Sequence, residues 1–205
     1  MKPSILKKQC IKALNPIFLP LGFELKNNRI DYDYYKNTKL GYQKVSILIS
    51  THGGQLGLSM ECSVCISAIN TICAPYSTFD ASTPTVTASL RDFGFDKDGY
   101  YTNTQQELDN MINIFVSVAS QYIIPFFEKY NSINTVDFDL NKEDLHSKDV
   151  FYRPFIGITA AALNKNQKFS YWENYYREIL KNTSEHRKKK YEDLISLLKE
   201  KYVGK

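Results

Sequence analysis

Cysteine and histidine are scarce in this sequence, with four and three copies in 205 residues. A chain of this length with so few cysteines is not expected to rest on a disulfide scaffold. Long apolar runs are missing too, and no stretch approaches the roughly 18 residues of a spanning helix. The apolar stretch behind Met1-Lys2-Pro3 is broken by Lys7, Lys8 and Lys12, so no signal-peptide core forms. Cytoplasm is the location these absences predict. No P-loop, dinucleotide fingerprint, H-E-x-x-H pair or kinase set occurs, and none of the histidines lies in an evident triad. The usual grounds for proposing an enzyme are therefore lacking, and no cofactor is expected.

What is present is enough to fold. Hydrophobic residues make up 43% and charged residues 23%, so a sizeable core can be buried without help. Fifteen tyrosines stand against one tryptophan. Tyrosine suits half-buried sites, because its ring packs while its hydroxyl reaches a polar partner. Eight basic and four acidic residues between Lys181 and Lys205 account for the whole net charge of +4. The excess describes one basic helix in a chain that is otherwise neutral.

Residues 5–18 read as an amphipathic helix, with Leu6, Cys10, Leu14 and Phe18 at steps of four. Pro16 and Pro20 predict fraying or a stop there, and Gly22 releases the chain into strands. Strict period two follows over residues 29–36, 43–51 and 56–66, which predicts three strands with one buried face. Their separators, residues 37–41 and His52-Gly53-Gly54, are short and turn-rich, so the strands are antiparallel hairpin neighbours. Residues 23–26 add a short strand in front, and residues 85–90 a further one. Residues 69–83 carry mixed signals, and Asp96-Lys97-Asp98-Gly99 is a turn.

From Thr102 the period becomes helical. Leu108, Met111, Ile112, Phe115, Ala119, Tyr122, Ile123 and Phe126 form a wide stripe, Thr104 with Glu107 makes a capping box, and Pro125 should kink or end the helix. Residues 132–148 are polar and read as loop or short helix. Helices follow over residues 150–163, 171–181 and 184–203. The expected fold is one α+β domain over residues 1–205, with helix and sheet in 1–101 and a helical part in 102–205. It has an N-terminal helix, an antiparallel sheet of four to five strands, and C-terminal helices packed on one face.

Several groups invite a chemical reading. Cys62 and Cys65 have the spacing of half a zinc site, yet residues three apart on a strand point to opposite faces, and only Cys73 and His52 stand near as further ligands. No metal-ligating or catalytic set is assigned. Arg29, Asp31, Asp33 and Tyr35 share one row of a strand, as a solvated outer face, a partner-binding surface or an acid–base pair beside a cation would require. Arg187, Lys188, Lys189 and Lys190 form the strongest charge run and could contact phosphates, with Tyr171, Trp172, Tyr175 and Tyr176 upstream as stacking groups. The apolar stripe Tyr191, Leu194, Ile195, Leu198 and Tyr202 marks the same helix as an ordinary amphipathic one.

The entry helix running into Leu19-Pro20-Leu21-Gly22-Phe23, the strands over 43–50 and 56–66, the Tyr122-Ile123-Ile124-Pro125-Phe126-Phe127 helix end and the helical tail from Phe155 come in a telling order. That order resembles the bacterial family known as domain of unknown function 4304. The resemblance implies an α+β fold and carries no functional residue onto this chain. At the level of fold, such small domains look like the immunity partners that neutralise bacterial toxins. The leading expectation is a non-catalytic protein-binding module, with a toxin-neutralising immunity-type protein as its narrower form. The alternatives are nucleic-acid binding through the basic C-terminal helix and an enzyme with a site near Asp31 and Asp33.

Overall fold

The computed structural model describes residues 3–28, 31–77, 80–143 and 152–203. It has the α+β arrangement: an N-terminal helix, an antiparallel sheet and C-terminal helices. The backbone groups into two compact units, Met1–Val64 with Val86–Glu128, and Cys65–Thr85 with Lys129–Lys205.

In the first unit, α1 (Pro3–Phe18) buries Leu6, Cys10, Leu14 and Phe18, the four residues its spacing selects. The helix runs through Pro16, which sits on the exposed face where a missing backbone donor strains nothing packed. A short 3-10 turn, Leu19–Leu21, then ends at Gly22, whose φ of +84° is the left-handed value that glycine tolerates.

The strands are β1 (Glu24–Asn28), β2 (Asp31–Thr38), β3 (Gly41–His52), β4 (Gln55–Ile66), β5 (Val86–Ser89) and β6 (Gly99–Thr102). They are ordered β1-β2-β3-β4-β5, with β6 also on β4. Gly53 and Gly54 both take positive φ, +56° and +81°, as the two-residue turn between β3 and β4 requires. The turn between β2 and β3 is likewise two residues, Lys39 and Leu40, so Asn37 and Thr38 remain in the strand.

Six strands stand where four to five were expected, because β4 is paired along one edge by two short segments. Glu61 faces Ser89 of β5 and Ser59 faces Gly99 of β6. The edge is thus one strand interrupted by residues 90–98, which leave the sheet in a 3-10 turn at Arg91–Phe93 and return. Four residues of β6, with Tyr100 and Tyr101 adjacent, are too few to show alternation.

Inward-facing Tyr32, Tyr34, Val45, Ile47, Ile49, Leu58 and Met60 form the core against α1 and α3 (Gln105–Val118). Tyr34 packs with its ring centroid 4.7 Å from that of Phe18, tilted by 36°, and donates its hydroxyl to Asn15 Oδ1 at 2.8 Å. The expected capping box opens α3: Thr104 Oγ1 accepts from Glu107 N at 3.2 Å and Glu107 Oε2 from Thr104 N at 3.2 Å. Pro125 does not end the helix. A π turn over Ala119–Ile123 widens the backbone ahead of it, and α4 (Ile124–Lys129) continues. By length and composition the helical stretch Gln105–Lys129 could cross a membrane. Here Leu108, Met111, Phe115, Val118, Ile123, Phe126 and Phe127 are buried in the fold.

The second unit holds α2 (Ser67–Cys73), α5 (Ile133–Leu140), α6 (Arg153–Leu163), α7 (Phe169–Leu180) and α8 (Glu185–Lys201). Helix α2 falls in the stretch of mixed signals, and its seven residues are too few to display a helical period. Helix α5 lies inside the polar stretch 132–148, of which residues 144–148 fall outside the described residues, as do the first residues of the helix expected from 150. Helix α6 is central, with every residue from Arg153 to Ala162 buried. Gly157 makes that possible. A Cβ there would overlap Tyr176 Oη and lie 3.0 Å from Asn141 Oδ1. Gly157→Ala is therefore expected to destabilise the protein by roughly 1–3 kcal/mol in urea unfolding, since a buried glycine that admits a neighbour cannot accept a methyl group without displacing it.

Candidate functional site

The register places three of the four residues of the expected outer row side by side. Lys26 faces Asp33, Glu24 faces Tyr35, and on the other flank Tyr35 faces Lys44 and Asp33 faces Ser46. Asp31, Asp33 and Tyr35 alternate with the buried Tyr32 and Tyr34, and so lie on the outer face. Arg29 lies outside the described residues. The row is tied into the sheet. Asp31 Oδ1 accepts the Ile49 backbone N–H at 3.0 Å, and its carbonyl accepts Lys7 Nζ at 3.1 Å. Tyr35 stacks on Tyr42 at 5.2 Å with planes 29° apart, and Lys26 Nζ rests 3.6 Å from the Tyr35 centroid.

Sequence reasoning missed the other end of this face. Tyr101 of β6 is 53% exposed, and Leu48, on the outward side of β3, is 44% exposed. Tyr101 faces Gly57 across the β4–β6 ladder, and a Cβ on Gly57 would overlap Ser50 Oγ and lie 2.6 Å from the Tyr101 ring. The bare glycine thus lets the tyrosine ring lie close to the sheet, 6.3 Å from His52. The signal available was a glycine inside an otherwise regular strand.

The four basic residues of α8 do not gather on one face, because four consecutive helical positions turn through about 300°. Arg187 is half-buried with its guanidinium carbon 5.7 Å from the Phe155 centroid, and burial lowers its pKa. Lys188 pairs with Glu185 at 2.8 Å, Lys189 is exposed and Lys190 is half-buried.

The thiols offer no nucleophile. Cys62 Sγ lies 3.6 Å from the Ala88 carbonyl, whereas Cys65 Sγ accepts from Asn70 Nδ2 at 3.3 Å. Burial pushes Cys10 and Cys73 up to about 12, and raises Cys62 and Cys65 as well. All four are protonated at neutral pH, the unreactive form. Among the described residues no three metal-ligating side chains converge.

The most concentrated polar chemistry is in the second unit, around Asp137, which is 2% exposed. Its carboxylate accepts from Asn164 Nδ2 at 2.7 Å, from Asn166 Nδ2 at 2.9 Å and from Asn141 Nδ2. Asn141 also donates to the Gly157 carbonyl at 3.0 Å and accepts the Tyr176 hydroxyl at 2.8 Å. Arg153 closes the far side, its guanidinium donating to the carbonyls of Leu140 and Lys142. The amides converge on the carboxylate itself, so the cluster joins α5, α6 and the α6–α7 turn and functions as a fastener. Asn166 also lines a cleft of about 230 Å³ with Ala161, Ala162, Phe169, Tyr202 and Val203. Nothing in the composition of residues 132–148 revealed this network; the Asp137 and Asn141 pair at i,i+4 was its one sequence trace.

Asp137→Ala removes the acceptor shared by the buried Asn141 amide and the half-buried amides of Asn164 and Asn166, and is expected to cost roughly 2–4 kcal/mol in urea unfolding. Asp139, on the same helix, tests the electrostatics. Burial alone would raise its carboxyl, but hydrogen bonds from Lys129, Lys142 and Tyr130 outweigh that and hold it at about 2, below its ordinary 3.8. A lowered folded pKa stabilises above the ordinary value and loses that contribution as pH falls toward 2. Asp139→Asn should therefore lower stability by about 1 kcal/mol at pH 7, its lysine partners being about half exposed to screening solvent, and the gap should close between pH 4 and 2.

Family models, curated proteins and solved structures return no match to this chain.

Proposed function

We propose that this chain is a non-catalytic protein-binding module whose contact surface is the outer face of the sheet in its first unit. The observation that carries the reading is Tyr101, more than half exposed and laid against Gly57 on a strand. A large ring with few rotatable bonds, already fixed in place, loses little entropy when a partner covers it, which is why tyrosine recurs at binding hot spots. Leu48 and the Tyr35–Tyr42 stack share the face and supply further apolar area.

Charge favours a protein over a nucleic acid at this surface. Glu24, Asp31, Asp33 and Glu61 stand on the outward side of their strands, where phosphates would meet repulsion. Lys26 and Lys44 interleave with them, and such mixed charge supplies register and selectivity in a protein interface. A toxin-neutralising role is the narrower form of this proposal, since it asks of the chain only recognition.

The test uses a photo-reactive side chain at position 48, with a second at exposed Lys97 as control. In extracts of the native host, position 48 should cross-link one partner and position 97 should not. Tyr101→Ala should weaken that capture by roughly tenfold or more. Gly57→Ala, which leaves the tyrosine in place but displaces its ring, should weaken it in the same direction. Equal labelling from both positions, or capture unmoved by Tyr101→Ala, overturns the proposal.

A further inference from the structure

Helix α7 carries an aromatic cluster that the sheet-face reading does not use. Tyr171 and Tyr175, one helical turn apart, hold their rings nearly parallel, 14° apart with centroids separated by 6.3 Å. Trp172 stands perpendicular to both, at 82° and 4.9 Å from Tyr171 and at 88° and 5.5 Å from Tyr175. Exposure orders them by depth: Trp172 is 7% exposed, Tyr175 is half-buried, and Tyr171 is 47% exposed. The tryptophan is the floor and the two tyrosines are the rim.

The cluster is braced and negatively charged on one side. Tyr171 Oη donates to Glu143 Oε1 at 2.6 Å, and Tyr175 Oη donates to the Glu143 carbonyl at 2.8 Å. The Glu143 carboxylate accordingly raises the pKa of Tyr171. Both rim hydroxyls are thus directed to one exposed acidic residue. Tyr176, fully buried beneath, packs 5.6 Å from Tyr175 and 6.4 Å from Trp172 and prevents the floor from collapsing.

We propose that Tyr171, Trp172, Tyr175 and Glu143 form a binding site for an organic cation, an alkylated ammonium group. Aromatic faces attract a cation whose charge lies within about 6 Å of the ring centroid. The Tyr171 and Tyr175 centroids lie 6.3 Å apart, so one ammonium resting on both rings falls within that reach of each, and Trp172, perpendicular to both, holds the pair in place. Alkylated ammonium suits the site better than a metal ion, because its methyl groups keep the apolar contact that a hydrated metal would refuse. Glu143 decides between a cation and a nucleobase. Rings 6.3 Å apart leave no room for a base between them, and a carboxylate at the rim attracts an ammonium and repels the phosphate that accompanies a base. The proposal is independent of the sheet face and concerns other residues.

Trp172 is the only tryptophan in the chain, so its emission reports on this site alone. The intact protein is titrated with tetramethylammonium chloride, with sodium chloride as the salt control. Choline and a short peptide bearing trimethyllysine follow, with 3,3-dimethylbutan-1-ol as the neutral isostere of choline. A saturable change in emission with the ammonium compounds, and none with the neutral alcohol, is the result expected. A free ammonium and a peptide-borne one are told apart by affinity: the tighter of choline and the trimethyllysine peptide identifies the source. Glu143→Gln keeps the acceptor for Tyr171 and removes the charge, and should weaken binding at least threefold. Tyr175→Leu removes a wall and should weaken it at least fivefold, with unchanged far-ultraviolet circular dichroism showing that the fold survives. An equal response to the neutral alcohol, a response only to adenosine monophosphate, or a response indifferent to Glu143→Gln overturns the proposal.

Discussion

The strict alternation of β2, β3 and β4 is the constraint on which the first unit depends. A strand with period two has one face to bury and one left over, and three such strands in antiparallel register make two surfaces of opposite character. Tyr32, Tyr34, Val45, Ile47, Leu58 and Met60 fall on one side and close against α1 and α3. Every other residue is thereby assigned to the second side without reference to what it is for. A slip of one residue in the β2–β3 hairpin would exchange the two faces. The two-residue turns at Lys39–Leu40 and Gly53–Gly54 hold the register, the second through paired positive φ values that glycine alone adopts freely.

The second unit is fastened differently. Its helices meet around α6, whose small residues allow close approach, and a buried carboxylate then fixes the angles at which they meet. Asp137 with three asparagine amides, and Glu173 between Arg177 at 2.6 Å and Lys199 at 2.8 Å, are buried acidic groups each satisfied by several donors. Such groups contribute less to net stability than to the uniqueness of the arrangement, since any other packing leaves a charge unmet. Lys165, in the turn after α6, takes φ of +52°, and its N–H and that of Asn166 bond back to Ala162 and Ala161 at 3.1 and 2.9 Å. A non-glycine residue in that conformation marks a turn imposed by the packing around it.

Much of this was legible in the residues themselves. Steps of four in α1 named its buried face in full, and alternation located β2, β3 and β4 to within about two residues. Two short elements escaped: β6 and α2 hold four and seven residues and neither carries a clear period, whereas β5, equally short, lies in an alternating stretch. Pro125 predicted a kink or an end; the helix does not end but widens into a π turn ahead of the proline, as a helix can where both ends are held by a core. At the candidate surface, Asp31, Asp33 and Tyr35 were visible as a row, yet Tyr101 was not. Its place depends on a pairing between β4 and β6 that no local pattern encodes, and on Gly57, whose meaning appears only once its neighbour is known. The four basic residues of α8 read as one patch in sequence and point in different directions in space.

Recognition by the sheet's outer face is the claim that unites these features, since it explains why a strand interior carries a bare glycine under an exposed ring. Hydroxyl-radical footprinting of the protein alone and in the complex recovered from its native host measures that directly. Strong protection of Tyr101, Tyr35, Tyr42 and Leu48 on complex formation, with Tyr152 and Phe138 of the other unit unchanged, is the pattern predicted. Protection confined to the second unit, with Tyr101 as reactive in the complex as in the free protein, would contradict it.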